Sequence, residues 1–359
     1  MKVSCLIASL RLGGAERQLA GLAVMLKEHG YDVEVITYRS GDFYSAALEE
    51  AGVPRVRISP SGGSIPTVRR LVSHLKGRGT EVLVSFLAGT NIKACMAAMA
   101  VPGLRLIVSE RNCNRSMLPH DAFRFALYRR AESVVCNSYA QDAFIRRHFR
   151  SLGSRLAVIP NFADLKRFRP QVKAPGSPLG VVITARLDRR KNALGLIRAA
   201  AAASRSDLRF DWYGSCKDDA YKKKCLGLIR SLGLQERFSI HGAADDVERI
   251  YHGADFFCLP SFYEGTPNAL AEALACGLPA LVSDVSDNAR YVRPGVNGFL
   301  FDPTRTASIT AALRAAAEMT SAEREAAGKR SRMTACESFQ EELFFERYVS
   351  LLEGGKAPA

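Results

Sequence analysis

Short runs of aliphatic and β-branched residues alternate along the whole chain with segments whose apolar positions recur at helical spacing. In the first half these runs predict strands at residues 3–10, 33–37, 82–85, 106–109, 133–137 and 156–159, with helices such as 16–29 and 139–149 between them. Apolar strands separated by helices imply a parallel sheet covered on both faces, because each crossover lays a helix against the sheet. The segment Arg169-Pro-Gln-Val-Lys-Ala-Pro-Gly-Ser-Pro178 interrupts the pattern, and its composition predicts a linker. The pattern then restarts with strands at 181–185, 208–213, 239–241, 256–259 and 280–283 and helices at 193–204, 221–231, 247–252 and 268–276. A last amphipathic helix is predicted at 339–353. The expected fold class is α/β, with two similar halves at 1–170 and 171–338 followed by a helical tail at 339–359, and 359 residues suffice for two domains of ordinary size.

Composition narrows the class. No stretch approaches the roughly 20 apolar residues of a membrane span, and Met1 to Leu10 reads as a buried first strand rather than a signal peptide. Nine scattered cysteines without a C-x-x-C suit reduced packing residues in a cytoplasmic protein better than disulfides or a metal site. The formal charge of +14 is uneven: residues 1–170 carry 25 Lys and Arg against 13 Asp and Glu, a balance of +12, and the remainder carry 25 against 23. A basic first half fits either an anionic partner or a merely solvated surface. No aromatic-basic motif supports nucleic acid. Two stretches, Arg69–Arg78 and Arg124–Arg130, interleave cations with apolar residues as surface-lying membrane helices do, and equally as helices packed on a sheet do.

The most specific stretch is Ser261-Phe-Tyr-Glu-Gly-Thr-Pro-Asn-Ala-Leu-Ala-Glu-Ala-Leu-Ala-Cys-Gly-Leu-Pro-Ala280. It sets Glu264 in the loop after a strand and Glu272 one turn into the next helix, with Asn268 as the expected N-cap. The turn Gly265-Thr266-Pro267-Asn268-Ala269 opens that helix, and the N–H groups near it are where anions or sugar hydroxyls bind. Either Glu alone fits an ordinary strand-turn-helix with solvated carboxylates. Thr184-Ala-Arg-Leu-Asp-Arg-Arg-Lys-Asn192 follows the first strand of the second half; Arg186 offers a planar fork for phosphate and Lys191 a point charge. Gly13 and Gly14, between the first strand and helix, let backbone approach a ligand.

The Ser-x-x-Glu-Gly-x-Pro turn, the E-x7-E spacing of Glu264 and Glu272 and the following Gly277-Leu-Pro279 together resemble the donor-site signature of the family-4 retaining glycosyltransferases. Arg186 and Lys191 resemble that family's G-R-L-x-x-x-K segment, with Ala185 where Gly is common. Gly13-Gly-Ala-Glu-Arg17 resembles its Gly-Gly-x-Glu-Arg opening, although Glu16 and Arg17 also suit local ion pairs. Ile159-Pro-Asn-Phe-Ala-Asp164 resembles its Pro-Asn-Gly-Val-Asp hinge. Arg111 stands where many members have a sugar-contacting His, which puts that His role in doubt here, and the nearby His120 is a poor substitute.

The resemblance implies two Rossmann-like (GT-B) domains with parallel sheets facing across a deep cleft, and a final helix crossing back to the first domain. It implies a hexose-type nucleotide-sugar donor, expected to be UDP-linked, on the second domain. A glycan or polyprenyl-linked acceptor is expected on the basic first domain, with peripheral contact to an anionic membrane. By the same resemblance Glu272 would hold the ribose, Arg186 and Lys191 the diphosphate, Glu264 and residues 265–268 the sugar and distal phosphate, and Gly13, Gly14 and Arg111 the transferred group. Neither cofactor nor metal is expected, the two cations doing a metal's work. The other readings are a nucleotide-sugar epimerase or phosphorylase of the same fold, and a catalytically silent sugar- or lipid-binding subunit.

Overall fold

The computed structural model describes residues 1–58, 63–114, 116–171, 178–204 and 207–356. They form two compact units, residues 1–161 with 342–359 and residues 162–341. Most of the expected linker, residues 172–177, lies outside the described residues. The unit break falls after Asn161 because the next residues already pack in the second unit. The Ala163 amide donates to the Phe339 carbonyl at 2.9 Å, and Phe168 is buried among that unit's core residues. Arg332 donates to the carbonyls of Phe168 at 2.7 Å and Leu165 at 3.1 Å.

In the first unit the elements are β1 (Lys2–Leu6), α1 (Gly14–Glu28), β2 (Asp32–Thr37), α2 (Ser45–Glu50), β3 (Arg55–Arg57), α3 (Ser64–Arg78), β4 (Val82–Phe86), α4 (Ala88–Ala100), β5 (Arg105–Glu110), α5 (Pro119–Leu127), β6 (Ser133–Cys136), α6 (Tyr139–His148) and β7 (Leu156–Val158). All seven strands pair in parallel in the order β3-β2-β1-β4-β5-β6-β7. The first strand stops at Leu6 rather than Leu10; Leu10 only bridges Asp42.

The second unit runs β8 (Leu179–Thr184), α7 (Ala193–Ala203), β9 (Leu208–Tyr213), α8 (Asp219–Ser231), β10 (Phe238–Ile240), α9 (Val247–His252), β11 (Phe256–Leu259), α10 (Asn268–Ala275), β12 (Ala280–Ser283), α11 (Asn288–Tyr291), β13 (Gly298–Phe301), α12 (Thr306–Glu318) and α13 (Ser321–Ser338). Its six parallel strands lie in the order β10-β9-β8-β11-β12-β13. The helix α14 (Glu341–Leu352) returns the chain to the first unit, where Tyr348 stacks on Phe86 with ring centroids 6.1 Å apart. Each sheet winds outward in both directions from a central pair, β1/β4 and β8/β11. Such a switch point opens a crevice at the carboxyl ends of those strands.

All nine cysteines are free thiols, and six of them are buried as packing residues.

Candidate active site

Two loops leave the switch point of the second unit. The first follows β8. Trp212 donates its Nε1–H to the Ala185 carbonyl at 2.8 Å, and a Cβ on Gly214 would overlap that same oxygen. Only glycine lets β9 end this close, so the residue before Arg186 is held from two sides. Asp188 closes the next turn: its Oδ1 accepts from the amides of Arg190 at 3.0 Å and Lys191 at 3.2 Å. That turn delivers Lys191 toward the second loop, where its Nζ lies 2.5 Å from Glu264 Oε1. Both side chains are largely buried, at 17% and 12% exposure. Arg186 is exposed and has no ion pair among the described residues. Arg189 is 70% exposed and only loosely paired, its Nε 3.6 Å from Asp218 Oδ2, whereas Arg190 is built into the loop. Its guanidinium pairs with Asp188 at 3.1 Å, and its carbonyl accepts the Phe262 amide at 2.8 Å, which splices the two loops.

The second loop follows β11. Ser283 donates to the carbonyls of Leu259 and Ser261, at 3.0 and 2.6 Å, and Ser286 accepts the Glu264 amide at 3.2 Å. The expected cap of α10 is corrected here: Pro267, at φ −75°, is the N-cap, and Asn268 is the first helical residue. Proline has no amide to satisfy, and its carbonyl takes the Ala271 amide at 3.2 Å. Thr266 and Pro267 are buried while Gly265 and Asn268 are half-buried, and the first amides of α10 have no acceptor within their own helix. Glu272 is 5% exposed, and its Oε2 accepts from the Tyr251 hydroxyl at 3.0 Å. Gly277 sits at φ +78° just past the helix, where its amide and that of Leu278 return to Leu274 and Ala273 at 3.0 Å each. The Gly of the Gly-x-Pro element is thus a helix stop.

The structure therefore gathers Lys191, Glu264, residues 265–268 and Glu272 in one unit, on the loops and helix that follow the central strands β8 and β11, with Arg186 on the same loop as Lys191. Sequence reasoning missed Thr184, Asp188, Tyr251, Ser283 and Ser286, which hold these residues in place. Only Asp188, three residues before Lys191 in a turn-forming string, carried a local signal.

Gly13, Gly14 and Arg111 belong to the first unit. Gly13 is the extended N-cap of α1 and its carbonyl accepts the Arg17 amide at 3.0 Å; Gly14 opens the helix. Arg111 is 9% exposed, its guanidinium lies 4.0 Å from the centre of the Phe86 ring, and its Nη1 donates to Asn161 Oδ1 at 3.1 Å. Burial pushes its pKa down, and Tyr348 partly opposes this. Asn161 of the hinge-like motif thus holds a side chain as well as making a turn. Glu110 points elsewhere: Tyr128 donates to it and Arg124 Nε stands 3.4 Å away. Burial pushes its carboxyl pKa up, against the pull of Arg124 and Tyr128.

That pair changes the reading of the two basic stretches. Arg124 is 9% exposed and bound to Asp121 at 2.9 Å, with Phe125 and Tyr128 buried beside it. In α3, Val68, Leu71 and Leu75 are buried, and Arg78 pairs with Asp32 at 2.6 Å and Glu34 at 3.3 Å. Apart from the exposed Ala126, the apolar residues of both stretches pack against the unit, and the outer cations are Arg69, Arg70, Lys76, Arg129 and Arg130. None of the described helices is long and apolar enough to cross a membrane. His120 is 71% exposed.

Two doubly wound parallel units, with cations and carboxylates collected at the switch point of the second, are the build of a glycosyltransferase. Residues 12–167 match the model of glycosyltransferase family 4, and residues 164–334 that of glycosyl transferases group 1. Between them the two models span nearly the whole chain, and it belongs to these glycosyltransferases. It is 27% identical over 289 residues, 76% of this chain and 77% of its relative, to a Campylobacter jejuni enzyme. That enzyme is named GalNAc-alpha-(1->4)-GalNAc-alpha-(1->3)-diNAcBac-PP-undecaprenol alpha-1,4-N-acetyl-D-galactosaminyltransferase. Over 160 residues, 41% of each chain, it is 29% identical to the Escherichia coli UDP-Gal:alpha-D-GlcNAc-diphosphoundecaprenol alpha-1,3-galactosyltransferase. The crystal structure of Anabaena HepE with UDP and glucose superposes with a TM-score of 0.86 over 99% of this chain and 100% of that one, at 20% identity, which is a likeness of fold.

Proposed function

We propose that this glycosyltransferase moves a hexose-type sugar from a UDP-linked donor to a lipid-linked diphosphate glycan, with retention at the anomeric carbon and without a metal. The observation that carries the reading is the meeting of the Arg186–Lys191 loop with Glu264 and Glu272 at one switch point, sealed by the 2.5 Å contact of Lys191 and Glu264. The names of the relatives, a UDP-galactose donor and undecaprenyl-diphosphate acceptors, support the choice of substrates.

In this reading Glu272 accepts two ribose O–H donors, and the turn Gly265–Asn268, through the N–H groups of Gly265, Thr266 and Asn268, holds the sugar and the distal phosphate. Glu264 orients hydroxyls of the reacting ring. The bond from the anomeric carbon to the diphosphate breaks, the acceptor oxygen bonds on the same face, and the acceptor's proton passes to the leaving phosphate. Arg186 and Lys191 stabilise the charge that grows on that phosphate, the electrostatic work that dominates such transfers. Gly13, Gly14 and Arg111 serve the transferred group and the acceptor. Attachment to an anionic leaflet rests on the outer cations Arg69, Arg70, Lys76, Arg129 and Arg130, each contributing about 1 kcal/mol near such a surface and weakening with salt.

The test is transfer from radiolabelled UDP-sugars to polyprenyl-diphosphate-linked acceptors, with and without EDTA, and the anomeric configuration of the product by NMR. Retained configuration and EDTA-resistant turnover are expected. An inverted product, or strict dependence on added divalent metal, overturns the mechanism, and release of free sugar without transfer overturns the assignment of acceptor.

A further inference from the structure

We propose that Tyr251 is a positioning residue for the nucleotide: it fixes the Glu272 carboxylate in the orientation that grips the ribose diol. The inference rests on the reading of Glu272 given above and assigns a role to a residue outside the signature.

Tyr251 is fully buried in α9. A hydroxyl taken out of water destabilises the fold unless it is hydrogen-bonded, and this one has three neighbours. Its oxygen lies 2.6 Å from Thr184 Oγ1, 3.0 Å from Glu272 Oε2 and 3.3 Å from the Ala269 carbonyl oxygen. Tyrosine has one proton to give, and an ionised carboxylate can only accept. The ordering that follows runs one way: Thr184 donates to Tyr251, and Tyr251 donates to Glu272. A charge-assisted bond of this kind outweighs the weaker approach to Ala269.

The ring cannot swing away. It lies edge-on to Phe257 and to Phe168, with centroids 6.1 Å apart in each case, inside the core that also holds Leu270, Ala271 and Leu274 of α10. The three linked residues come from three elements: Thr184 ends β8, Tyr251 sits in α9 and Glu272 in α10. Thr184 stands two residues before Arg186, so the same chain of hydroxyls ties the loop that carries the phosphate cations to the carboxylate that takes the ribose. Glu272 is then one rotamer held from behind rather than a flexible carboxylate, and the ordering a ligand would otherwise impose on it is already in place.

The test measures binding of UDP and of 2′-deoxy-UDP by calorimetry to the full chain, to Tyr251→Phe, to Thr184→Val and to Glu272→Ala. Native Trp212 fluorescence and melting curves check that each variant folds. Wild type should favour UDP over 2′-deoxy-UDP by about tenfold, the loss of one good hydrogen bond. Tyr251→Phe should weaken UDP about tenfold, bring the ratio close to one and leave kcat at saturating donor within about threefold. Thr184→Val should give a smaller shift in the same direction. In a Glu272→Ala background, Tyr251→Phe should have no further effect on UDP.

If wild type discriminates and Tyr251→Phe discriminates equally, Tyr251 is only a packing residue and the proposal falls while the role of Glu272 stands. An additive effect in the Glu272→Ala background overturns the proposal in the same way. If wild type binds both nucleotides alike, or binds neither, the ribose reading of Glu272 fails and takes the proposal with it.

Discussion

Breaking the contact between Lys191 and Glu264 should expose how tightly the site is sprung. At 2.5 Å and an effective dielectric near 20, the gross attraction between the two charges is about 7 kcal/mol. Much of this is offset by desolvation, since only 17% and 12% of the two side chains remain exposed. Removing one partner leaves the other charge half-stranded. We therefore expect Lys191→Met or Glu264→Gln to destabilise the second unit by about 2–3 kcal/mol. The double variant should recover most of that loss, for a coupling of about 1–3 kcal/mol. The assay is built into the molecule. Trp212 is the sole tryptophan, fully buried in the core of the same unit, so its emission in a urea titration reports that unit. Saturating UDP should shrink the coupling, because the diphosphate competes with Glu264 for the ammonium. The double variant should be stable and inactive. A coupling below about 0.5 kcal/mol would refute the reasoning, as would one that UDP leaves unchanged.

Glu272→Ala should weaken donor binding by about 1–3 kcal/mol, and unchanged affinity by calorimetry would remove it from the site. Arg186→Ala should lower kcat more than donor affinity, because charge grows on the diphosphate only as the bond breaks; wild-type turnover in that variant would end the phosphate assignment. Arg124→Ala should cost about 3 kcal/mol by leaving Glu110 buried beside a missing cation, whereas Arg129→Ala should stay within about 0.5 kcal/mol. Equal shifts in thermal unfolding would restore the two as equivalent surface charges. Burial pushes the thiols of Cys5, Cys95 and Cys276 up to about 12 and that of Cys225 up to about 11, so at pH 8 they stay protonated and unreactive. A thiol reagent should reach the half-buried Cys113, Cys216 and Cys336 first, and fast labelling of more than three thiols would contradict the packing.

What could be read from the chain divides along physical lines. Central strands such as β4 and β11 are continuous apolar runs, because both faces are covered, and their bounds follow from the pattern. Strand β3 is Arg-Val-Arg at the edge of its sheet, where two of three side chains meet solvent, so no such run marks it. Strand β13 begins on Gly298, which opposes strand propensity, and glycine stands there because a Cβ would overlap the Ala280 carbonyl of the paired strand. The candidate site residues are legible because they sit in strings of fixed spacing after strands. Their supports are not: Tyr251 lies 21 positions before Glu272, Ser286 lies 22 after Glu264, and only the sheet order brings them together. The Arg124 stretch left two readings open for a related reason, since a cation that ends up paired inside a unit has the same local sequence as one left outside.

The return of α14 to the first unit also sets an order of manufacture. Residues 162–341 form their unit from one unbroken stretch and are complete before α14 has been synthesised. The first unit must wait: Tyr348 has to reach Phe86, and the Leu351 carbonyl has to meet Arg105 at 3.0 Å, before its core closes. Phe86 is also the ring on which Arg111 lies. The seat of Arg111 is therefore finished by residues made long after it. A nascent chain arrested at residue 341 would carry a finished second unit and an open first one. Damage to α14 would be felt by Arg111, a whole domain upstream in the chain.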